Sequence, residues 1–121
     1  MLLVDGYNVA KSGWPRLDLR LQRERLVDAL GNLQASTGAR SEVVFDGVDD
    51  VEPWGRATPA WVRVEFTPSG TEADDRLLEL LGHLPVTSPA VVVSDDRRVR
   101  DGARARGGNV LRVEQLLALL R

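Results

Sequence analysis

The sequence predicts an α/β fold, a single domain with a mostly parallel sheet and helices on both faces. Three observations carry this. The chain has 121 residues, the length of one ordinary domain. Three short apolar runs, Leu2-Leu3-Val4, Glu42 to Asp46 and Ala90 to Ser94, read as strands buried on both sides. Stretches with helical spacing lie between them, and strands alternating with helices imply a parallel sheet.

The first strand, Leu2 to Asn8, runs three apolar residues into Asp5, Gly6 and Asn8. Ala10 to Asp18 holds Gly13 and Pro15 and reads as a loop. Asp18 can cap a helix over Leu19 to Ser36, with Leu19, Leu26, Leu30 and Leu33 as its apolar stripe and Thr37-Gly38 as its end. The second strand, Glu42 to Asp46, again ends in a carboxylate. Residues 47–59 form the longest irregular stretch, with three acids, two prolines, Trp54 and Arg56. From Ala60 to Thr67, Val62, Val64 and Phe66 alternate with Trp61, Arg63 and Glu65, which fits a half-exposed edge strand.

Pro68-Ser69-Gly70 makes a turn, and a helix over Glu72 to Gly82 points Leu77, Leu78 and Leu81 inward. Ala90 to Ser94 is the third apolar run and leads into Asp95 and Asp96. Arg97 to Arg106 reads as a helix and Val110-Leu111 as a short last strand. Val113, Leu116, Leu117 and Leu120 have the spacing of a closing helix.

Composition narrows the chemistry. There is no cysteine, so disulfides, zinc-thiolate sites and thiol nucleophiles are excluded. No apolar stretch has membrane-spanning length and no basic leader precedes the first strand, so the expectation is a cytoplasmic protein without a membrane partner. The net charge of -2 gives no overall attraction to nucleic acid, yet all but one of the 16 basic residues are arginine. They gather at Arg16 to Arg25 and at Arg97 to Arg106. Arginine suits bidentate contact with phosphate, although a solvated helix face explains such clusters equally well.

The acidic residues carry more. Asp5, Asp46 and Asp95 follow apolar strands, Asp96 follows Asp95, and Asp74 and Asp75 open a helix. In a parallel sheet these positions share the carboxyl edge, where sites form. Crowded carboxylates raise one another's pKa, and a divalent cation relieves the conflict. Oxygen donors without His or Cys select Mg²⁺ or Mn²⁺, which can activate water for phosphodiester cleavage. Plainer readings stand beside each residue. Thr71 to Asp74 fits a capping box, Asp95 or Asp96 can cap the next helix, and Asp46-Gly47 is an ordinary turn pair. Asp5 is harder to dismiss, because a carboxylate closing a buried strand needs a partner. His83, the only histidine, sits near a helix end away from this edge.

Four blocks also resemble a known family. They are Val4-Asp5-Gly6-Tyr7-Asn8-Val9, Val44-Phe45-Asp46-Gly47, Thr71-Glu72-Ala73-Asp74-Asp75 and Val93-Ser94-Asp95-Asp96-Arg97. In this order they are similar to the YacP-like branch of the NYN domains, within the PIN-like nuclease superfamily. The resemblance implies a sheet in the order 3-2-1-4-5, with Asp5 and Asp95 side by side at the switch point. It implies a metal-dependent ribonuclease using Mg²⁺ or Mn²⁺, with RNA as substrate and a ribosome or another RNA-associated protein as a candidate partner. By motif position Asp5, Asp74 and Asp95 take the metal-ligand roles, with Asp75 or Asp96 as a fourth carboxylate. Asn8 would orient a ligand, water or phosphate. Ser94 would support the site by hydrogen bonds, and Asp46 would act as an outer member through water. Arg97 and Arg98 are the first candidates to meet RNA. The loop over residues 47–59 lies outside the resemblance; its Trp54 and Arg56 are candidates to stack on and clamp a single strand, beside the plainer reading of a loop Trp packed back on its own domain.

Rival readings differ in what they need. A receiver-like phosphoacceptor needs a lysine after a late strand, and the only lysine is Lys11. A haloacid-dehalogenase-like phosphatase needs Asp at position 7, which is Tyr7. An RNA-binding module of the same fold that does not cut would use the arginine clusters. The presence of Asp5, Asp74 and Asp95 together favours the enzyme over it.

Overall fold

The computed structural model describes residues 1–47, 58–68, 70–85 and 87–121. Its elements are β1 (Leu2–Asp5), α1 (Gly6–Gly13), α2 (Leu19–Thr37), β2 (Ser41–Phe45), β3 (Val62–Phe66), α3 (Ala73–His83), β4 (Val91–Val93), α4 (Arg97–Ala105), β5 (Asn109–Leu111) and α5 (Val113–Leu120). The five strands lie in the order β3-β2-β1-β4-β5, and every neighbouring pair is parallel. The registers Leu2↔Ser41 and Leu2↔Val91 bring β2 and β4 to either side of β1. The sheet thus reverses direction of growth at β1, with the switch point between β1 and β4.

Strand alternation divides the core in two. Leu2, Val4, Val43, Phe45 and Val93 pack with residues of α1, α2 and α5 on one face. Leu3, Val44 and Val92 pack with Ala73, Leu77 and Leu81 of α3 and Val99 and Ala103 of α4 on the other. Each fully buried Leu or Val contributes about 1.5–3 kcal/mol relative to exposure. These layers therefore hold the carboxyl edge in place. Asp18 accepts a hydrogen bond from the Leu21 N–H at 2.9 Å and caps α2, and Gly38 closes it with φ 77°.

Three expectations change. The first strand ends at Asp5, and the stretch read as strand and loop is α1. Gly6, Tyr7, Val9 and Ala10 all turn inward, which a helix of this length achieves by its 3.6-residue period. Leu19, placed in the apolar stripe of α2, is 42% exposed at the first turn. Trp61 does not lie in the edge strand. It sits in a turn closed by the Val62 N–H and the Pro59 carbonyl, at φ 67°, with Arg40 stacked 4.1 Å from its ring.

Candidate active site

The site forms where β1 gives way to α1. Asp5 is the N-cap of that helix, but its side chain makes no cap hydrogen bond. Gly6 is required here. A Cβ would meet the Phe45 ring and come within 2.9 Å of the Val44 carbonyl oxygen. The close approach presses the chain against β2 and leaves Asp5 only 8% exposed. Alternation along β1 turns Asp5 to the same face as Leu3, the face covered by α3 and α4.

That orientation decides its neighbours. Burial pushes the Asp5 carboxyl up to about 7, helped by the charges of Asp74 and Asp46. The Asn8 side chain opposes the rise, its amide donating to Asp5 Oδ2 at 3.4 Å. Asp74, on the first turn of α3, is also raised, first by burial and then by Asp96, Glu72 and Asp46. Arg98 pulls it the other way. Asp5, Asp46, Asp74 and Asp96 therefore share one crowded field.

Most of the remaining acids also serve helix ends. The Asp46 carboxylate accepts from the Ala73 N–H and so caps α3 from the end of β2. The box expected from Thr71 and Asp74 does not form; Glu72 is the N-cap, without a side-chain cap bond. Asp96 accepts from the Val99 N–H at 3.1 Å and caps α4. Asp95 accepts from the Val113 N–H at 3.0 Å, at the start of α5. Alternation accounts for the last contact, since Val93 faces α5 and Asp95 follows it by two. Ser94, wholly buried, takes a 3.0 Å hydrogen bond from the Asp96 N–H and fixes the turn after β4.

The arginines divide by role. Arg98 pairs with Asp75 and stands 3.8 Å from Glu72, tying α4 to α3 beside the site. Arg97 is almost fully exposed, with Asp101 at 3.6 Å. Arg23, read as part of an arginine cluster, is instead buried and donates to the Tyr7 hydroxyl at 3.0 Å, behind the first turn of α1. Trp54 and Arg56 lie outside the described residues.

Thr67 escaped the sequence reading. Its hydroxyl accepts from the Gly47 N–H at 2.9 Å and donates to the Thr71 carbonyl at 2.7 Å. It thereby joins the turn after β2 to the approach to α3, the two segments that carry Asp46 and Asp74. A Cβ on Gly47 would collide with the Thr67 backbone, so the Asp-Gly pair is fixed sterically as well.

The donor set fits a hard divalent cation in kind, being carboxylates whose mutual repulsion a cation would relieve. Among the described residues no three acidic side chains already stand close enough together to hold one. Closing on an ion would take side-chain rotation.

Comparison with known proteins agrees with this architecture. The chain is 38% identical over 88 residues to the "Uncharacterized protein YacP" of Bacillus subtilis strain 168, covering 66% of this chain and 50% of that one. It thus spans about half the length of this curated relative. The crystal structure of Rae1 (YacP) from Bacillus subtilis superposes with a TM-score of 0.84 and 27% identity, over 99% of this chain and 72% of that one. A mutant of the same protein gives 0.78 and 25%, over 98% and 72%. The YacP-like NYN domain model matches residues 2–121, and so the chain belongs to the YacP-like NYN domain family of PIN-like nucleases.

Proposed function

We propose that this chain is a divalent-metal-dependent ribonuclease that cuts RNA internally at the acidic carboxyl edge. The observation that carries the reading is Asp5, a buried carboxylate at the switch point, held up to about 7 by burial and by Asp74 and Asp46. A buried carboxyl raised in this way at a strand end supports a functional site, because perturbed groups of this kind gather at such sites. Membership of the YacP-like NYN family supports the reaction class.

In this reading Asp5 and Asp74 hold the ion, joined by a carboxylate from Asp95 or Asp96, with Asp75 further out on α3. A bound Mg²⁺ or Mn²⁺ supplies Lewis acidity and an activated water. The chain's own groups do the placing. Asn8 holds Asp5 in one orientation through its amide. Asp46 and Thr67 fix the start of α3 and with it Asp74. Ser94 fixes the turn that carries Asp95 and Asp96. Arg97 is the exposed guanidinium available to a phosphate, while Arg98 moderates Asp74. A cytoplasmic setting and a ribosome or other RNA-associated partner belong to the same proposal.

The second reading, a domain that binds RNA without cutting, draws on the absence of a preformed three-carboxylate set among the described residues. Cleavage of a mixed single-stranded and structured RNA pool in Mn²⁺, Mg²⁺ or EDTA separates the two. We expect cutting that needs metal and is lost in Asp5→Asn and Asp74→Asn. RNA bound but left whole in every metal condition would favour the binding domain.

A further inference from the structure

The helix that starts at Asp5 ends at Trp14. Asp5 is the N-cap of α1 and Trp14 is its C-cap. Eight residues at 1.5 Å each make this about 12 Å, the span of three to four stacked nucleotides. At its far end a concavity of ≈ 390 Å³ is lined by Trp14, Pro15, Arg16, Leu17 and Arg25. Trp14 is half-buried and packs against the core below it. Its carbonyl accepts from the side chain of Gln22 at 3.1 Å and from the Leu17 N–H at 3.1 Å, so the backbone that carries the indole is anchored. Arg16 and Arg25 are exposed at the rim, and neither makes an ion pair among the described residues.

The combination selects its occupant. A purely apolar ligand has no use for two guanidinium groups. A free phosphate has no use for an indole and a proline. A nucleotide within a strand has both a flat apolar base and a phosphate on either side. Base stacking on an aromatic ring with arginine on the backbone is a sequence-tolerant way to hold single strands. We propose that this concavity is a nucleotide subsite for single-stranded RNA, with Trp14 as the stacking surface and Arg16 and Arg25 as the phosphate contacts. It rests on the ribonuclease reading and adds where the strand is gripped away from the cut, with α1 as the fixed spacer between them.

The test uses the full chain in an Asp5→Asn background, so that strands stay whole. Labelled single-stranded RNAs of two to ten nucleotides are titrated by anisotropy, and intrinsic tryptophan fluorescence is followed in parallel. We expect affinity to step up once the strand exceeds about four nucleotides. Trp14→Leu should weaken a ten-nucleotide strand about ten-fold and remove part of the fluorescence quench. Because Trp14 also packs on the core, the exposed pair Arg16→Ala/Arg25→Ala serves as the second variant. It should lower the slope of log Kd against log salt by about 1.4, the worth of two phosphate contacts on a single strand. A ten-nucleotide strand that binds wild type and both variants with equal affinity and equal salt slope overturns the subsite and leaves the ribonuclease reading standing. No binding of any strand by the parent overturns the RNA reading itself.

Discussion

Replacing Asp5 by Asn should stabilise the metal-free protein at alkaline pH while abolishing the proposed cleavage. The folded carboxyl titrates at about 7 instead of 3.8, so between those values the native state holds a proton that the unfolded chain has released. Stability therefore falls as pH rises from about 4 to 7. At 1.36 kcal/mol per pH unit the full shift corresponds to about 4 kcal/mol at most. Asp74 shares the repulsion and is partly exposed, so part of that strain relaxes. We expect a gain of about 1–2 kcal/mol, which is roughly 3–8 °C in Tm for a chain of this length. Asn keeps a carbonyl oxygen to accept the Asn8 amide, so the local hydrogen bond survives. The assay is thermal unfolding of wild type and variant in EDTA at pH 4.5 and pH 8, repeated with Mn²⁺. The variant should gain at pH 8, gain much less at pH 4.5, near the foot of the window, and lose any stabilisation by metal that wild type shows on the proposed reading. An Asp5→Asn protein less stable than wild type at pH 8 in EDTA, or offset equally at both pH values, would refute the electrostatic account.

Two substitutions test the frame around the site. Gly6→Ala places a methyl against the Phe45 ring and the Val44 carbonyl, and should cost about 1–3 kcal/mol in denaturant unfolding; an unchanged midpoint would show that β2 yields freely. Thr67→Val keeps the shape but strips the Gly47 N–H and the Thr71 carbonyl of their shared partner. It should also cost about 1–3 kcal/mol and reduce the proposed cleavage through misplacement of Asp74, visible as a fall in kcat with little change in KM.

Much of this was legible because Leu2 to Val4, Val43 to Phe45 and Val91 to Val93 are short continuous apolar runs, as suits strands covered on both sides. The parallel order then put every strand-end acid on one edge. What the sequence withheld depended on direction. Asp95 and Asp96 are adjacent, yet one meets α5 and the other α4, and only the facing of Val92 and Val93 separates them. The first helix was hidden for a related reason. Tyr7 to Ala10 continues the apolar character of β1, and Gly13 and Pro15 beyond it mimic a loop. Thr67 gave no signal, since a lone Thr before a proline is commonplace and its partners are 20 and 4 residues away.

Three acids at the edge, Asp46, Asp95 and Asp96, each close the start of a helix, while the Asp5 side chain caps none. This sets unequal tolerances for drift. A lineage that abandoned cutting would be free to change Asp5 to almost any small residue and would even gain stability. At the other three positions it would be confined to Asn, Ser or Thr, which still accept an N–H but carry no charge. Descent from a nuclease would then leave a legible trace, a first strand without its acid above three helices still capped by short polar residues.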